Sequence, residues 1–323
     1  MRKTQTYTKI NTLYKRYQCL NKLELPNPLW RAFQNKIILG DFSDDFMAYI
    51  KGLKFDCFSK IDGTNSKIVY FPSTGECFPG GKTDNASIDG NGQRALLESI
   101  IERIKPTLAE LFPADSAKFV PAVNQNGQPQ YYLPEVMNIE GGALPTRGGA
   151  VENVDAAGDY VVEMVEAPIY IYGEFYGKKV QKGGNYDADK QRFAIFDICM
   201  QGWYIPIDML TDYAEKLGLE MAPYIGQMTI DEAEQMVIKG FKTRVPNPSN
   251  PDYLEEGIVA RPIVPLKDPR GKRIIVKIKT CDYADLNRAI AQVGEEEYNK
   301  FKEWYNSIDP EVFKAILNPE KCE

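Results

Sequence analysis

Short runs rich in Val, Ile, Tyr and Phe recur along the chain, and a turn-like segment separates the first two runs. Branched and aromatic side chains favour the pleated, half-buried surface of a β-sheet. The segment 62–65 (DGTN) is typical of a tight turn, because Asp-Gly and Asn tolerate positive backbone angles. The sequence therefore predicts two short strands, over residues 54–60 and 66–71, which this turn joins.

The remaining apolar patterns predict an α+β protein. Further strands are expected over residues 160–166, 169–176, 192–200, 257–261 and 273–279. Helical spacing of apolar residues predicts helices over 93–112, 208–217, 230–238 and 283–318. Pro106 should kink or divide the first helix, Thr229 is a candidate N-cap of the third, and Asp309-Pro310 interrupts the last.

Two stretches are predicted to be irregular. Residues 113–158 are polar and Gly-rich, which indicates a surface insertion. Residues 245–252 (VPNPSNPD) are rich in Pro and Asn, which indicates a loop. The C-terminal segment that follows the last predicted strand is too short, and too helical in its pattern, to form a second β-barrel domain.

Histidine is absent from the sequence, and this excludes whole classes of enzyme. An imidazole is the usual general base, proton shuttle or metal ligand near neutral pH. Ser-His-Asp hydrolases, Cys-His proteases and HExxH metalloenzymes therefore do not fit this chain. The six cysteines lie far apart without a CxxC pair, so no usual zinc site can be assembled.

The same cysteines are expected to be reduced thiols in a cytosolic protein. The N-terminal segment MRKTQTYTKINTLYKR lacks the apolar run of a signal peptide. No segment approaches the roughly 20 apolar residues of a membrane span. We therefore expect a soluble, cytoplasmic protein that has no contact with a membrane.

The net charge of -6 conceals two basic segments. Residues 1–36 hold eight Lys or Arg against one Glu, and residues 264–280 hold six against one Asp. Residues 281–323 are acidic, with ten acidic and five basic residues. Because phosphate backbones attract Lys and Arg, both basic segments are candidates for a nucleic-acid track. A solvated basic turn is the other interpretation of residues 264–280.

Two stretches resemble phosphate-binding loops but lack their full patterns. Residues 75–83 (GECFPGGKT) nearly match the P-loop GxxxxGK[ST], but that motif requires Gly where this chain has Glu76. A hairpin turn is the better interpretation of this stretch. Residues 90–92 (GNG) resemble the first three positions of the dinucleotide-binding motif GxGxxG. That motif follows a hydrophobic strand, and none is predicted directly before residue 90, so these residues indicate a loop.

The most informative motif is Lys60-Ile61-Asp62-Gly63 (KIDG), which lies between the first two predicted strands. Four more motifs follow in order along the chain: GEF at 173–175, FAIFDI at 193–198, EGIV at 256–259 and KIK at 277–279. Together they resemble the ordered signature of the covalent nucleotidyltransferases, which include ATP-dependent ligases and mRNA capping enzymes.

Other segments resemble RNA ligases more specifically, in the group that includes bacteriophage enzymes and the trypanosome RNA-editing ligases. They are Asn65, two residues after KIDG, and the segments GGKTDN (80–85), YGEFYG (172–177), EGIVARP (256–262) and VKIKTCDY (276–283). The resemblance covers roughly residues 1–285. It implies a nucleotidyltransferase (adenylation) domain of largely antiparallel sheets with flanking helices over 1–285, which includes the 113–158 insertion. A helical C-terminal extension is expected over 286–323.

The lysines themselves suggest how such chemistry proceeds without histidine. A lysine attacks phosphorus only as a neutral amine, which the ordinary pKa of about 10.4 makes scarce at neutral pH, and neighbouring positive charge lowers such a pKa. Lys277 and Lys279 lie two apart on a predicted strand, so both point to one face. We expect this pair to face the triphosphate, to help deprotonate Lys60 and to offset charge in the transition state. An exposed strand face is the other interpretation.

The resemblance also implies roles for single residues. Lys60 is the nucleophile that carries AMP, with Lys277 and Lys279 as catalytic lysines that also bind the nucleotide. The other implied nucleotide contacts are Ile61, Asp62 and Gly63 of KIDG, Asn65 near the sugar and phosphate, Lys82 at a phosphate, Glu174 at the ribose hydroxyl and Phe196 stacked on the adenine. Glu256 is implied as the ligand of the divalent metal. By default, however, Phe196 in an apolar strand is a core residue.

Two positions depart from the commoner family pattern. Ser59 occupies the position before the nucleophile, where many relatives have glutamate, and this leaves one contact to the adenine or the metal open. Lys82 occupies a position where relatives often have arginine. A lysine meets a phosphate as a point charge, without the bidentate fork of a guanidinium.

Taken as a whole, the resemblance implies an ATP-dependent RNA ligase that uses Mg²⁺ or Mn²⁺ and acts in RNA repair. Its partner would be RNA with 5′-phosphate and 3′-hydroxyl ends, and the protein is expected to be a monomer. Two alternatives stay open. One is a DNA ligase or a GTP-dependent capping-type nucleotidyltransferase, which would normally require a C-terminal OB-fold. The other is a non-catalytic module that binds nucleotide or RNA.

Overall fold

A computed structural model describes residues 7, 9–17, 29–83, 85–113, 118–123, 129–132, 153–154, 160–161, 165–166, 168–181, 186–200, 203–247, 250–268 and 271–308. Helices and mostly antiparallel sheets occur together, which confirms the predicted α+β class. The chain folds as two compact units. Unit 1 comprises residues 1–9, 59–225 and 242–253, and unit 2 comprises residues 10–58, 226–241 and 254–323.

The strands follow one another along the chain as β1 (Asn11–Thr12), β2 (Tyr14–Arg16), β3 (Ile37–Phe42), β4 (Phe55–Ser59), β5 (Thr64–Phe71), β6 (Glu76–Gly81), β7 (Lys118–Val123), β8 (Pro129–Tyr132), β9 (Asn153–Val154), β10 (Tyr160–Val161), β11 (Val165–Glu166), β12 (Ile169–Gly177), β13 (Gln191–Met200), β14 (Trp203–Tyr204), β15 (Glu220–Met221), β16 (Tyr224–Met228), β17 (Gly257–Pro262) and β18 (Val276–Lys279). The helices are α1 (Trp30–Phe33), α2 (Met47–Ile50), α3 (Gln93–Leu111), α4 (Ile207–Leu217), α5 (Ile230–Lys239), α6 (Thr280–Val293) and α7 (Glu295–Asn306).

Unit 1 is built on a sheet with the strand order β14-β13-β12-β5-β6, to which β15 adds in parallel beside β13. The other pairs of this sheet are antiparallel. Helices α3 and α4 supply apolar side chains to a core with β5, β12 and β13. Its members include Ile68, Tyr70, Leu97, Ile101, Ile104, Leu108, Ile171, Phe193, Ile195, Ile198, Leu210 and Leu217. This core is what fixes the central strands from which the predicted site residues project.

Unit 2 contains a sheet with the order β1-β18-β17-β4-β16, in which β18 pairs with β1 in parallel and with β17 antiparallel. Strands β2 and β3 form a separate antiparallel pair. The Glu234 carboxylate of α5 accepts hydrogen bonds from the Tyr14 and Tyr283 hydroxyls, each at 3.0 Å. These two bonds tie α5 to β2 and to α6. The Phe301 ring of α7 packs against Phe33 of α1, with ring centroids 4.8 Å apart.

The tight turn predicted at residues 62–65 is wrong, although both of the strands that it was expected to join exist. Strands β4 and β5 belong to different sheets, so the segment between them is a connection and not a hairpin turn. Thr64 and Asn65 are already part of β5, and Gly63 is not among the glycines with positive φ. Turn propensity is a local property, and it does not report which sheet the next strand joins.

The hairpin turn predicted within residues 75–83 lies earlier in the chain. Residues 72–75 connect β5 to β6, with Gly75 at φ +63° and its N–H bonded to the Phe71 carbonyl at 2.8 Å. The P-loop-like stretch from Glu76 to Gly81 is strand β6, which agrees with the rejection of a phosphate loop there. Residues 90–92 form the predicted loop, which leads into α3.

The predicted insertion over 113–158 is regular in part. Within it, β7 and β8 form an antiparallel pair, and β11 adds to β7 on the other side. The rest of the segment contains the short strand β9, paired with β10, and otherwise lies outside the described residues. A polar, Gly-rich composition therefore does not exclude short strands that pair with each other.

Helix α3 continues through Pro106, so the predicted division is wrong, and the predicted kink stays a prediction. A proline removes the hydrogen bond to the carbonyl four residues earlier, here that of Glu102. Both Pro106 and Glu102 are exposed, so water can reach this carbonyl. Ile101 and Ile104 before Pro106 and Leu108 after it are all buried in the core, so both halves of the helix pack against the same sheet.

The other predicted elements are confirmed in their main parts. Strands β5, β12, β13 and β17 and helices α4 and α5 match the predicted ranges closely, and residues 245–247 and 250–252 lie outside helix and strand. Strand β18 begins only at Val276, and residues 160–166 contain the two short strands β10 and β11. Helices α6 and α7 confirm the helical C-terminal segment as far as Asn306, and residues 309–323 lie outside the described residues. The domain boundary at residue 285 stays a prediction.

Within the described parts of the chain, none of the helices combines the length and the apolar character that crossing a membrane requires.

The capping box of α5 gives a direct test of the local folding argument. The Thr229 Oγ1 accepts the Glu232 N–H at 3.2 Å, and the Glu232 carboxylate accepts the Thr229 N–H at 2.7 Å. We expect Thr229→Ala to lower the free energy of unfolding by about 1 kcal/mol, since one helix N–H loses its acceptor. Urea denaturation measures this change. Thr229→Ser keeps the hydroxyl and should stay close to wild type, and equal losses in both variants would contradict the capping argument.

Candidate active site

Lys60 directly follows β4, and the backbone is anchored on both sides of it. The Ser59 N–H donates to the Pro223 carbonyl at 2.9 Å, and Ser59 is only 2% exposed. Ile61 is buried in an apolar cluster of unit 1 with Tyr176, Tyr186, Ala194, Ala222 and Val245. Lys60 itself is half-buried. The backbone from which the long Lys60 side chain extends is therefore held in place.

The next two residues of KIDG are held by hydrogen bonds from the segment that links β12 to β13. The Asp62 N–H donates to the Tyr186 hydroxyl at 3.2 Å, and the Gln181 side-chain amide donates to the Gly63 carbonyl at 2.8 Å. We call this pair of bonds the Tyr186–Gln181 brace. Tyr186 is buried and its ring packs edge-on against Tyr176, with the centroids 5.7 Å apart.

Gly63 is required by a close approach between two backbones, and not by a turn. A Cβ at this position would lie 2.4 Å from the Phe175 carbonyl oxygen and 2.8 Å from the Glu174 Cγ. Real Cβ atoms essentially never come so near to another heavy atom. Glycine thus lets the KIDG segment lie directly on β12, next to Glu174.

An ion-pair network fixes the Tyr186 end of the brace. The Arg192 guanidinium pairs with the Asp187 carboxylate at 2.9 Å and also with Glu220, which accepts the Tyr176 hydroxyl at 2.8 Å. Burial would raise the pKa of the Asp187 carboxyl. The hydrogen bonds from Arg192 and from the Lys190 and Asp189 N–H groups outweigh burial, so the pKa is lowered. Asp187 therefore stays an anion and holds the chain beside Tyr186 in place.

Asn65 and Glu174 lie directly opposite each other on β5 and β12. Directly paired residues of neighbouring strands point to the same face of the sheet, so these two side chains are neighbours. The Asn65 Oδ1 is buried and accepts no hydrogen bond from the described residues. A buried oxygen that accepts no such hydrogen bond is suited to accept one from a bound molecule. Lys82 is exposed and directly follows Gly81, which pairs with Ser66 of β5. Lys82 therefore lies at the end of β5 where Asn65 is located.

Phe196 is the extra residue of a β-bulge in β13. Tyr172 pairs with Asp197 and Gly173 pairs with Ile195, which leaves Phe196 without an opposite residue. Its side chain is half-buried and packs against the apolar cluster that contains Ile61, not in the core under α3 and α4. Phe196 thus packs beside a smaller core cluster of unit 1, and its stacking on an adenine stays a prediction.

Tyr7 fixes the position of Phe196, and nothing in the sequence pattern points to it. The Tyr7 ring packs edge-on against Phe196 with the centroids 5.1 Å apart. Its hydroxyl donates to the buried Asp197 carboxylate at 2.8 Å. The sequence analysis did not identify Tyr186 or Gln181 as site residues either. Their roles follow from contacts across more than 100 residues of chain, and one sequence carries no signal for such contacts.

Lys277 and Lys279 lie on β18 of unit 2 and alternate with buried residues, as predicted. Val276 and Ile278 are buried, whereas both lysines are half-buried, so the two lysines share one face of the strand. The Lys279 Nζ lies 3.0 Å from the Glu256 Oε1. Burial would lower the pKa of Lys279, but the charge and the hydrogen bond of Glu256 outweigh it, and the pKa is raised. Lys279 is therefore a cation at neutral pH.

Glu256 is brought to Lys279 by a second close backbone approach. Gly257 has φ +157°, and a Cβ there would lie 2.0 Å from the Ile278 carbonyl oxygen. The Thr280 N–H donates to the Glu256 carbonyl at 2.9 Å, which closes β17 against the end of β18. These contacts hold the predicted metal ligand and the predicted phosphate-binding lysine side by side.

The donor chemistry of Glu256 fits a hard divalent cation. Its carboxylate is mostly buried and offers oxygen ligands, which Mg²⁺ and Mn²⁺ prefer. In the described parts of the chain, no group of three or more His, Cys, Asp or Glu is arranged to hold a metal. A single carboxylate suits Mg²⁺, which usually takes one or two protein ligands and completes its shell with substrate phosphates and water.

The predicted site residues thus fall into two sets, one in each unit. Unit 1 brings together KIDG, Asn65, Lys82, Glu174 and Phe196 around β5, β12 and β13. Unit 2 brings together Glu256, Lys277 and Lys279 at the ends of β17 and β18. Their roles toward a nucleotide stay predictions.

Comparison with protein families finds one matching model, RNA ligase, over residues 55–279. A search of the curated proteins finds no match. Among solved structures, the chain is similar to Naegleria gruberi RNA ligase in several states. An alanine mutant with ATP and Mn is 12% identical, with a TM-score of 0.43, and the match covers 75% of this chain and 54% of that one. The same enzyme with PPi is 13% identical, with a TM-score of 0.43, and 88% of this chain and 61% of that one are covered. The chain spans little more than half the length of these enzymes.

The close approach at Gly63 predicts a specific loss of stability. We expect Gly63→Ala to lower the free energy of unfolding by about 1–3 kcal/mol, because the methyl group has no room beside the Phe175 carbonyl. Gly90→Ala is the matched control in unit 1, since a Cβ at Gly90 meets nothing within 4 Å. Urea denaturation of both variants measures the difference. Equal stability of the two variants would show that KIDG does not lie on β12 as described.

Proposed function

Because the chain belongs to the RNA ligase family, we propose that it is an ATP-dependent RNA ligase that works through a covalent lysyl-AMP intermediate on Lys60. The observation that carries this proposal is the arrangement around Lys60 in unit 1. A half-buried lysine projects from a backbone that is anchored at Ser59, Ile61, Asp62 and Gly63. A fixed backbone at this position suits a nucleophile whose nitrogen must approach one phosphorus atom in line with the leaving group.

In the first step, the neutral Lys60 Nζ attacks the α-phosphorus of ATP. A nitrogen–phosphorus bond forms, the bond between the α-phosphorus and the bridging oxygen breaks, pyrophosphate leaves, and the nitrogen releases one proton to solvent. Lys277 and Lys279 act on the phosphates of the same nucleotide, where their positive charge offsets the charge that develops during transfer. The raised pKa of Lys279 suits a lysine that stays charged in this role.

Glu256 is proposed to hold Mg²⁺ or Mn²⁺, and the metal would neutralise negative charge on the phosphates when bound. In the unliganded chain the same carboxylate pairs with Lys279. That ion pair keeps a buried carboxylate compensated before a cation arrives, which reduces the cost of burying it.

Unit 1 supplies the proposed contacts to the nucleoside. Asn65, whose buried Oδ1 has an unused acceptor site among the described residues, contacts the nucleotide near its sugar. Glu174, the cross-strand neighbour of Asn65, binds a ribose hydroxyl, and Phe196 stacks on the adenine. Lys82 meets a phosphate, and the KIDG residues Ile61, Asp62 and Gly63 line the site beside Lys60.

Two further transfers complete the proposed reaction. An oxygen of the RNA 5′-phosphate attacks the AMP phosphorus, the nitrogen–phosphorus bond breaks, and the Lys60 nitrogen takes up a proton from solvent, which regenerates the amine. The 3′-hydroxyl of the other end then attacks the 5′-phosphate of the adenylylated RNA. A phosphodiester bond forms, AMP leaves, and the proton of the hydroxyl is released.

The setting of the reaction is also part of the proposal. We expect a monomer that acts in RNA repair in a reducing, cytoplasmic environment. The cysteines Cys57, Cys77, Cys199 and Cys281 are free thiols, which agrees with a reducing environment.

The nucleophile is tested by mass spectrometry of the protein after incubation with ATP and Mg²⁺. Wild type should gain one adenylyl group on Lys60, and Lys60→Ala should gain none. Lys178→Ala removes an exposed lysine of unit 1 and is the matched control, which should be adenylylated like wild type. An adduct that persists in Lys60→Ala would reject the assignment. Parallel incubation with GTP tests the capping-type alternative, and an adduct formed with GTP alone would favour it.

The Tyr186–Gln181 brace predicts a kinetic effect distinct from a loss of stability. Tyr186→Phe removes only the hydroxyl that accepts the Asp62 N–H. We expect lysyl-AMP formation to slow by about tenfold while the affinity for ATP changes little, because misplacing a nucleophile costs rate more than binding. Rapid-quench assays with labelled ATP measure both quantities.

Tyr14→Phe is the control for this experiment. It removes the hydroxyl of a buried tyrosine in unit 2, one that donates to Glu234 at 3.0 Å. Equal slowing in the two variants would mean that the Tyr186 hydroxyl acts only through the general stability of the protein.

A further inference from the structure

An ion pair between Arg16 and Asp282 joins β2 to α6 in unit 2, and the proposed reaction gives it no role. The Arg16 Nη2 lies 2.6 Å from the Asp282 Oδ2. The other terminal nitrogen, Nη1, donates to the Asn35 carbonyl at 2.7 Å. The Asn35 N–H in turn donates to the Tyr17 carbonyl at 3.0 Å, next to Arg16 in the chain. The guanidinium is therefore held at two points beside Asp282.

Asp282 is a buried carboxylate that depends on this guanidinium. Its Oδ1 accepts the Cys281 thiol at 3.7 Å, and a thiol is a neutral and weak donor. Within the described parts of the chain, Arg16 is the only cation that forms an ion pair with Asp282. Because a buried charge is costly unless it is paired, removal of Arg16 would leave an uncompensated anion at this position.

This anion lies next to one of the two lysines of β18. Lys279 is the N-cap of α6, and Asp282 is the third residue of the helix. A side chain at this third position can reach back to the N-cap residue, as it does in a capping box. Burial would lower the pKa of Lys279, whereas the charge and hydrogen bond of Glu256 and, to a smaller extent, the charge of Asp282 raise it. The Asp282 carboxylate is thus near enough to attract the Lys279 ammonium.

The two carboxylates near Lys279 differ in what compensates them when a nucleotide is bound. Glu256 is the proposed ligand of the divalent metal, so the metal compensates it when Lys279 turns to a phosphate. Asp282 has Arg16 as its cation. Without that guanidinium, Asp282 would compete with the phosphates for the Lys279 ammonium, because opposite charges attract strongly in a partly buried place.

We propose that Arg16 is a positioning residue for Lys279, which it keeps available to the phosphates of ATP by neutralising Asp282. This proposal rests on the proposed function for the role of Lys279. A different role would be purely mechanical, with the ion pair serving only to fasten α6 to β2. The two roles predict different effects when one partner of the pair is removed.

The test compares Arg16→Gln with Asp282→Asn, because both substitutions break the ion pair but only the first leaves an unpaired anion. The probe is an ATP analogue with a methylene group between the α- and β-phosphorus, which cannot release pyrophosphate. Isothermal titration calorimetry in Mg²⁺ measures its affinity. We expect Arg16→Gln to weaken binding by about tenfold, comparable to one charged hydrogen bond, and Asp282→Asn to bind like wild type.

The rate of lysyl-AMP formation with ATP should follow the same pattern. Rapid-quench assays should show slower formation in Arg16→Gln and a wild-type rate in Asp282→Asn. The double variant Arg16→Gln/Asp282→Asn removes the unpaired anion again, so its affinity and rate should return to the wild-type values. A purely mechanical ion pair would give no such recovery, since the link between α6 and β2 is broken in all three variants.

Lys36→Gln is the matched control. The Lys36 Nζ lies 3.7 Å from the Asp285 Oδ2, so this pair also holds α6, three residues farther from Lys279 than Asp282 is. Its affinity and rate should equal those of wild type. Thermal unfolding verifies that each variant is folded. Should Arg16→Gln not fold, Arg16→Lys replaces it, because a lysine lacks the second donor group for Asn35 and should show a smaller loss in the same direction.

Three results would overturn the proposal. They are wild-type behaviour of Arg16→Gln, equal losses in Arg16→Gln and Asp282→Asn, and an equal loss in Lys36→Gln. Failure of the proposed ligase function would appear differently, as absence of lysyl-AMP in the wild-type protein. Binding of the analogue needs no transfer and still reports on Arg16 in that case. A wild-type protein that does not bind the analogue would reject both proposals.

Discussion

The immobilised backbone around Lys60 is the constraint on which the rest of unit 1 depends. Gly63 can lie on β12 only because it has no Cβ, and that contact sets the distance between KIDG and Glu174. The buried Ile61 and the two bonds of the brace prevent the segment from rotating. A lysine has four rotatable bonds, so its reactive nitrogen is placed only if the backbone is fixed first. The conformational entropy of this backbone segment is then lost during folding, and the chemical step does not have to order it again.

In unit 2, an ion pair stabilises the partly buried charges of Lys279 and Glu256, a task that needs no histidine. The ion pair of Lys279 with Glu256 keeps one lysine cationic and one carboxylate anionic in a partly buried place. Both groups have other partners in the proposed reaction, a phosphate for the lysine and a divalent cation for the carboxylate. The pair can therefore open without leaving either charge uncompensated. A chain without histidine needs an arrangement of this kind, because no side chain with an ordinary pKa near 7 is present.

Much of the strand and helix content was predictable from the sequence, because burial of branched and aromatic residues produces patterns that are local. Strands β5, β12, β13 and β17 and the capping box at Thr229 are of this kind. The partners of a strand are not local, and the DGTN segment was misread for that reason. Its glycine serves a contact with β12, more than 100 residues away, and not a turn. The brace and Tyr7 have the same origin, so a single sequence could indicate KIDG but not what holds it.

The bulge at Phe196 separates two functions of one strand. Ile195 and Ile198 both lie in the core under α3 and α4 although they are three residues apart, and Phe193 and Ile195 are two apart. A regular strand would have placed Asp197 in that core. The extra residue instead shifts the alternation by one, so that Ile198 joins Ile195 in that core, while Ala194 and Phe196 pack with the cluster of Ile61. Deleting Phe196 would restore regular pairing and leave the residues on both sides of it on their present faces. The bulge therefore adds one aromatic side chain to the Ile61 cluster without disturbing the core on the other face of the strand.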